Sequence, residues 1–585
     1  MQYDVAICGG GIAGLTLARQ LRREVPDATV ALIDPLCRPL PEACHKVGES
    51  TVELASHYLA TVLGLNDYLR SSHLIKNGLR FFPGGGELPV ASRTEIGPPE
   101  LPIVPSFQLD RGRLENDLRA MNEADGVTLF EGHKVVDVRL GPEETEHELE
   151  LHTPSGHATL RARWIVDATG RRQLLSRKLG LRRRTGHDAR AAWFRVAERI
   201  DVAELVPKEE ERWHARDPHH HRWLSTVHFM GEGYWVWLIP LGSGYTSVGV
   251  VVDASIHAFD DIRTDDRLRA WIRRHEPALS ERLDGVAAED FRCLREYSYT
   301  AKQVFSKDRW ALVGEASSFL DPFYSPGSDY VALANCFVSR LVSADLAGHD
   351  EEIEVLNGWF LRLFDEAVVT FQHMMPCFGN PTVMTGKIYW DNLQYWSFFC
   401  QYFMQGAYRL PLDEQRAVLE EGAEFSEQHR RAQALFRAWH ALSPEASPDP
   451  KHVTLPPIPS LLANAYLDLQ NKVEPSALRP LLARKRQLTE KVLAELVLRA
   501  LRDLPVDAGS ALVERLGIPR WGLPFDDRRL ALDDLSARER RRALPAVSKD
   551  LERCFGKPRP RSDVRCWEDL YRERLELPQA LSESG

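Results

Sequence analysis

Residues with the types and spacing to do chemistry begin almost at the amino end. Gly9, Gly10, Gly11, Ile12, Ala13 and Gly14 follow an apolar run, Tyr3 to Cys8, and precede a segment with Leu15, Ala18 and Leu21 on one helical face. In a strand–turn–helix setting Gly9 allows a tight turn, Gly11 lets the main chain approach a pyrophosphate, and Gly14 lets the helix lie close to the sheet. The N–H groups around Ala13 then face the phosphates at the helix N-terminus. A second apolar run, Thr29 to Ile33, ends at Asp34, 20 residues beyond Gly14, where a carboxylate accepts a hydrogen bond from a ribose hydroxyl. A glycine-rich turn without a ligand is the plain alternative; the two strands, the helix and the acid together favour a dinucleotide site.

A site of this kind needs a large folded frame, and the composition supplies one. The 585 residues correspond to about four domain-equivalents, and 44% hydrophobic with 27% charged residues is an ordinary globular balance. With 84 acidic against 74 basic residues the net charge is -10, so no global positive field gathers a polyanion and no nucleic acid partner is expected. Nine cysteines without a C-x-x-C pair or metal-ligand spacing suit a reducing cytoplasm. His219, His220 and His221 are consecutive in an expected loop and cannot all face one ion, so no metal site is expected. No run of 18 or more apolar residues predicts a membrane span, and the glycine-bearing stretch Val5 to Ala18 lacks the basic start of a signal peptide.

Two later segments also read as a strand ending in a small-residue turn: Trp164 to Gly170, with Asp167 at the strand end, and Arg309 to Ala316, with Gly314 and Glu315. With the amino-terminal turn they resemble the FAD-binding elements of the flavoprotein monooxygenases related to aromatic hydroxylases, over about residues 1 to 345. The resemblance implies FAD, with Asp167 and Gly170 near it and Glu315 where the family places an aspartate beside the ribityl chain. Gln108, Asp110 and Arg111 resemble the Q-x-D-R segment of that superfamily, which implies that Gln108 and Arg111 lie near the flavin. An exposed Asp110–Arg111 pair starting a helix is the simpler reading of the same residues. No second GxGxxG follows an expected strand, so no separate NAD(P)H site is read, and reduced FAD is expected from a partner flavin reductase.

Within that superfamily four segments are similar to the flavin-dependent halogenases. The run from His45 to Ser50 contains Gly48, Glu49 and Ser50, like their Gly-Glu-Ser element, and Lys76 to Phe81 resembles the K-x-G-x-x-F segment that carries their essential lysine. Trp235, Trp237, Ile239 and Pro240 fit W-x-W-x-I-P; Phe319, Pro322, Ser325 and Gly327 fit F-x-x-P-x-x-S-x-G. The resemblance implies an enzyme in which reduced FAD and O2 give a flavin hydroperoxide, chloride or bromide attacks its terminal oxygen, and hypohalous acid travels to a substrate held apart. Lys76 then holds that acid by hydrogen bonding, or forms a haloamine, and aims the halogen at an electron-rich carbon. Glu49 and Ser325 are the other catalytic candidates, and Ser50, Pro322, Gly327 and Ser328 lie beside the cofactor. The implied substrate is a small aromatic molecule or a carrier-protein-bound secondary-metabolite intermediate. Without the motif, Lys76 reads as a solvated surface charge. Trp235 and Trp237, two apart on a strand, point to one face; they fill a core, or with Tyr324 they wall the flavin from the substrate.

Two positions depart from the halogenase pattern. Pro326 stands where a backbone N–H helps to cradle halide, and proline has none. Gly327 and Ser328 remain as a shifted pair of donors. Tyr324 stands where tryptophan-specific members have a glutamate near their lysine, which makes free tryptophan a poor substrate. A hydroxylase on the halogenase scaffold is therefore the alternative, and a non-catalytic FAD-binding scaffold a remote one.

The expected fold class is α/β. A Rossmann-like FAD-binding domain comes in three parts, 1–80, 106–185 and 301–348, with a substrate-side insertion at 81–105 and a β-rich substrate domain at 186–300. A helical substrate-capping region (349–442), a proline-rich linker or extended arm (443–460) and a helical C-terminal region (461–585) follow. A helix is expected over Tyr330 to Leu346, its positive end toward the flavin. Tyr395, Trp396, Phe399, Tyr402 and Phe403 recur at helical spacing and either fill a core or wall an apolar substrate funnel. Leu488, Val492, Leu493, Leu496, Ala500 and Leu504 form one broad face of a long helix.

Overall fold

The amino-terminal run becomes strand β1 (Gln2–Cys8) in the computed structural model, which describes residues 1–43, 46–141, 145–349, 352–443, 452–456, 461–525 and 547–556. Val5 to Cys8 are fully buried because both faces of the strand are covered, which is why the run is apolar without alternation. Helix α1 (Ile12–Glu24) follows and leads to β2 (Val30–Asp34). In the parallel core of this sheet the order is Trp310–Leu312, Gly156–Asp167, β1, β2 and Thr128–Glu131. Cys8 is in register with Ile33 on one side and Asp167 on the other, and Asp167 with Leu312. The carboxyl ends of these strands thus open at one level, where ligands bind in doubly wound sheets.

A second, mostly antiparallel sheet carries Ala189–Val196, Thr246–Asp253, Tyr234–Pro240 and Thr226–Gly231, and continues through Leu79–Phe82 and Glu95–Gly97. Its edge strand, His452–Thr454, pairs with Glu95–Gly97, so the described part of the proline-rich segment is an added strand lying along the sheet. The three residues His452 to Thr454 contain no proline, which leaves their N–H groups free to join a ladder. Trp237 faces Gly249 across the ladder, and a Cβ there would sit 2.0 Å from the indole ring, so the glycine makes room for the tryptophan. A short ladder between Leu74–Lys76 and Ser106–Gln108 places Lys76 opposite Ser106.

Helices follow from residue 327 onward. The predicted helix runs from Gly327 to Leu346, three residues earlier at its start than the spacing suggested. Ile353–Phe371, Pro381–Gln394, Leu412–Leu442 and Pro475–Asp503 pack as a cap, with Val492, Leu493, Leu496, Ala500 and Leu504 all buried as their periodicity predicts. No described helix is long and apolar enough to cross a membrane. The rest of the proline-rich segment, His45 of the Gly-Glu-Ser run, and 526–546 and 557–585 of the C-terminal region lie outside the described residues.

Gly14 sets how closely α1 lies on the sheet: a Cβ there would stand 2.0 Å from the Gly9 carbonyl oxygen and 3.1 Å from Ile7. Gly14→Ala is expected to destabilise the fold by about 2 kcal/mol or more, overpacking outweighing the better helix propensity of alanine. Chemical denaturation, with FAD affinity measured alongside, checks this.

Candidate active site

At the open ends of the parallel strands lies a cavity of about 580 Å³. Gly9, Gly11, Ala13 and Asp34 line it, as do Gly170, Arg171 and Glu315. Ser50, Arg111, Pro322, Ser325, Gly327 and Ser328 line it as well, as do Trp235 and Trp237. Three predicted residues stand back from the lining. Gly14 packs the helix; Asp167 accepts hydrogen bonds from Thr169 N–H (3.0 Å), Thr169 Oγ1 (2.6 Å) and Leu175 N–H (2.7 Å) and so shapes the turn; Gln108 donates to Thr226 Oγ1 at 2.9 Å. Asp34 shares its acceptor capacity, since it already receives the N–H of Gly10 and that of Leu36 (2.7 Å), with Arg119 at 3.3 Å. Glu315 pairs with Arg171 at 2.9 Å, and Arg171 stacks over Phe319 at 4.8 Å.

The cavity suits a large planar heterocycle joined to phosphates. A Cβ on Gly11 would meet nothing within 4 Å, so the main chain there is open to the cavity. Three buried polar atoms in its wall, Nε1 of Trp193 and Trp235 and Nε2 of His228, have no hydrogen-bond partner among the described residues. Burial holds the His228 imidazole near a pKa of 3, with the Lys76 charge adding to the effect, so this ring is neutral.

Glu49 is buried at the edge of the same cavity. It pairs with Arg195 at 2.7 Å, and Arg195 also meets Asp290 at 2.5 Å. Burial pushes the Glu49 carboxyl up against the opposing pull of Arg195. Nothing in the sequence pointed to Arg195: it is one polar residue in a strand whose neighbours are apolar, and only the tertiary fold brings it to Glu49.

A second cavity, of about 450 Å³, has Lys76 in its wall together with Glu53, Phe81, Tyr324, Asp329 and Tyr395. The lysine is fully buried, not solvated. Its Nζ donates to Ser50 Oγ at 2.8 Å and to the Thr51 carbonyl at 2.7 Å. Burial lowers its pKa to about 7 against the opposing charges of Glu53 and Asp329. Ser50 Oγ lies 2.9 Å from Thr226 Oγ1 and accepts from Ser325 Oγ at 3.0 Å. Ser50, Thr226 and Ser325 belong to the first cavity, so one hydroxyl, that of Ser50, links Lys76 to the other chamber. Tyr330 lies in both walls.

Between the chambers stands an aromatic partition. Trp235 faces the first cavity and Tyr324 the second, with Phe323 between them at 5.2 Å and 4.4 Å from their ring centres. The Trp235–Trp237 centroid distance is 5.5 Å, and both rings are also part of the core, so packing and walling are combined. Tyr395, Trp396 and Phe399 wall the second cavity, whereas Tyr402 and Phe403 pack inward. Tyr395–Phe399 is a π-helical turn, a break in the α-helical spacing that often marks a functional site. Among the three consecutive histidines, His219 and His220 are exposed and His221 is half-buried.

Removing the Arg195 cation leaves Glu49 and Asp290 buried without it. Arg195→Met is expected to cost about 3–5 kcal/mol, more than Glu49→Gln, and to weaken FAD binding; denaturation with and without FAD measures both.

The sequence profile of the tryptophan halogenase family matches residues 90–397, more than half of the chain. The chain is 28% identical over 445 residues to flavin-dependent halogenase chlA of Dictyostelium discoideum, covering 70% of this chain and 72% of that protein. It is 26% identical over 368 residues to the 1H-pyrrole-2-carbonyl-[peptidyl-carrier protein] chlorinase of Pseudomonas fluorescens, covering 59% and 75%. Among solved structures, the myxobacterial chondrochloren halogenase CndH, a variant of FAD-dependent halogenases, aligns with a TM-score of 0.52 at 26% identity over 63% of this chain and 82% of that one. The chain belongs to the tryptophan halogenase family and is an FAD-dependent oxidoreductase of the halogenase type.

Proposed function

We propose that this enzyme halogenates an electron-rich aromatic or carrier-bound secondary-metabolite intermediate, with Lys76 delivering hypohalous acid to the substrate. The observation that carries the reading is the single line Ser325–Ser50–Lys76, which runs from the FAD cavity through the aromatic partition into a separate apolar chamber. Bound FAD, once reduced, supplies with O2 the two-electron oxidation of chloride or bromide. Gly9, Gly11 and Ala13 hold its phosphates, Asp34 its ribose, and Gly170, Arg111 and Glu315 flank it; Trp235 and Trp237 keep bulk water and substrate from it.

Gly327 and Ser328 open a helix of 20 residues and line the FAD cavity, so their N–H groups, free of intrahelical partners, supply the anion cradle that Pro326 cannot. This supports halogenation over hydroxylation, the reading that the missing Pro326 N–H favours. Two of the three Lys76 ammonium protons are spent on Ser50 and Thr51, which leaves one for the acid. A proton donor with a pKa near 7 can release its proton at neutral pH. The absence of a second GxGxxG segment supports supply of reduced FAD by a separate reductase. The similarity to a chlorinase of a carrier-bound pyrrole supports a carrier-bound substrate class.

With FAD, a flavin reductase, O2 and halide, the protein is expected to give a halogenated product that vanishes without halide. A product with one added oxygen, made equally without halide, would establish the hydroxylase instead. Lys76→Ala is expected to lower halogenation by about 10²-fold or more while oxygen consumption continues. Because Lys76 acts as the ammonium, the halogenation rate in the wild type is expected to fall as pH rises through about 7; a rate that climbs there would favour a haloamine made by the neutral amine.

A further inference from the structure

On that halogenation reading, we infer that Thr370 is a specificity-determining donor of the substrate chamber. Its hydroxyl, aimed by Trp390 and His429, binds the carbonyl oxygen of a neutral acyl group carried by the ring that takes the halogen. Thr370 lies in the helix Ile353–Phe371. Leu363, Glu366, Ala367, Thr370 and Phe371 all line the chamber, and their helical spacing makes them one face of that helix. The Thr370 side chain therefore stands on the chamber side.

The groups behind the hydroxyl fix its polarity. Trp390 Nε1 is a donor only, and it gives its proton to Nδ1 of His429 at 3.2 Å. Burial, which outweighs the pull of Asp391, holds the His429 imidazole down at a pKa of about 4, so the ring is neutral. A neutral ring that accepts at Nδ1 carries its proton on Nε2. That nitrogen therefore donates to Thr370 Oγ1, 2.9 Å away. The threonine oxygen is thus engaged as an acceptor, and its own proton is left to give. Helical threonines often return that proton to the carbonyl four residues earlier. Here Oγ1 makes no second hydrogen bond among the described residues. The chain Trp390–His429–Thr370 ends in an unspent O–H on the chamber face.

The donor is also held in place. The Thr370 carbonyl accepts from Lys387 Nζ at 2.9 Å, the same ammonium meets Asp391 at 2.7 Å, and Asp391 receives the Tyr324 hydroxyl at 2.9 Å. Thr370 is thereby tied to the residue next to Ser325 and so to the line that ends at Lys76. Other hydroxyls in the wall are already donated: Tyr324 to Asp391, Tyr395 to Asp329, Tyr466 to the Val104 carbonyl and Ser426 to the Gly422 carbonyl. The Ser106 hydroxyl belongs to the reactive end, opposite Lys76 in its ladder.

A neutral donor in an apolar wall selects a neutral acceptor. A carbonyl oxygen needs no proton of its own to pair with it, and an alkyl group leaves it unpaired. A carboxylate would bring a buried charge that no free cation meets, because the three Lys387 protons go to Thr370, Asp391 and Gln433. The acyl group is a ketone or a thioester, which share this oxygen. Anchoring it leaves the ring one orientation toward Lys76, so Thr370 also sets which ring carbon is halogenated.

The test uses FAD-loaded enzyme with the isomeric acetylindoles, the matching ethylindoles, which keep the shape without the oxygen, and the matching indolecarboxylic acids. By calorimetry, wild type should bind at least one acetylindole about fivefold or more tightly than its ethyl partner, and the acid most weakly. Thr370→Val, which keeps the shape and removes the hydroxyl, should erase that preference, mainly by weakening the acetylindole. Thr370→Ser should keep it. Trp390→Phe, which lets the His429 proton move to Nδ1, should reduce it. With a flavin reductase, O2 and bromide, Thr370→Val should raise KM for that acetylindole more than it lowers kcat and should spread bromine over more than one ring carbon. The N-acetylcysteamine thioester of the same indolecarboxylic acid separates the two sources of the carbonyl: tighter binding than the ketone assigns a thioester, and equal or weaker binding a ketone. No acetyl preference in any isomer, or one that survives Thr370→Val, overturns the assignment. The halogenation reading is judged apart from binding: a wild type that brominates neither the indoles nor an added cyclic β-diketone overturns that reading.

Discussion

A lysine ammonium buried out of water is the constraint around which the rest of the site is arranged. Desolvating such a charge is costly unless it is hydrogen-bonded and has opposite charges near it. Lys76 has the first, with two of its protons held by the Ser50 hydroxyl and the Thr51 carbonyl; the acids beside it, Glu53 and Asp329, are themselves pushed up by burial, Asp329 to about 8, so they offset the desolvation only in part and the lysine falls to about 7. These partners come from separate pieces of chain. The ladder Leu74–Lys76 with Ser106–Gln108 sets the lysine's position; the turn after Gly48 brings Ser50 and Thr51; the start of the helix Gly327–Leu346 brings Asp329. Asp329 in turn receives Ala55 N–H of the helix Glu53–His57 and the hydroxyl of Tyr395 from the helical cap, so the cap is tied to the flavin side through this one buried acid.

This arrangement explains why two chambers are needed rather than one. An oxidant generated beside a flavin must not meet the substrate there, and the stack Trp235, Phe323 and Tyr324 fills the direct path with rings. Only small hydroxyls, those of Ser325 and Ser50, interrupt the aromatic barrier at the point where Lys76 waits. The Tyr324 hydroxyl is fastened to Asp391 at 2.9 Å, and Asp391 to Lys387 at 2.7 Å and Gln433 at 2.7 Å, which keeps the ring upright in the partition. Every member of that network is satisfied, the condition under which buried polar groups stiffen a structure.

Local patterns made the nucleotide half of the site legible. The turn Gly9 to Gly14, the acid Asp34 and the strand ends at Asp167 and Leu312 obey short-range rules of turn and strand, and the structure puts them where those rules say. The Lys76, Trp235 and Ser325 segments were legible through resemblance, not through physics, because nothing in their local spacing distinguishes them from surface or core. Arg195, Thr226, His228 and Glu53 were not legible at all. Each acts across a long span of chain: Arg195 meets Glu49 from 146 residues away and Thr226 meets Ser50 from 176. The aromatic run near Tyr395 carried both readings at once: Tyr395, Trp396, Phe398 and Phe399 of the π-helical turn line the chamber, and Tyr402 and Phe403 beyond it stay in the core. Asp167 shows the opposite error: a strand-end acid looked like a ligand contact, and its two oxygens are consumed by the turn it stabilises.

The loop between Pro322 and Gly327 shows how the departures from the family pattern are accommodated. Tyr324 and Ser325 are consecutive non-glycine residues with φ of 68° and 59°, a left-handed pair that costs about 1–2 kcal/mol per residue. Side-chain anchoring offsets that cost at both ends. Asp321 receives Phe323 N–H at 2.9 Å and the Tyr297 hydroxyl at 2.8 Å, with His187 Nε2 at 2.7 Å; beyond it Tyr324 is held by Asp391 and Ser325 by Ser50. The result is a sharp reversal that sends the phenol ring into the second cavity and the neighbouring hydroxyl to Ser50 in the wall of the first. Pro326 follows with φ of -76°, a value its ring enforces, and sits at the cap of the next helix where an N–H is not required by the fold. The proline that has no N–H of its own to offer is thus also the residue that starts the helix whose Gly327 and Ser328 line the cavity, and both features follow from the same five-membered ring.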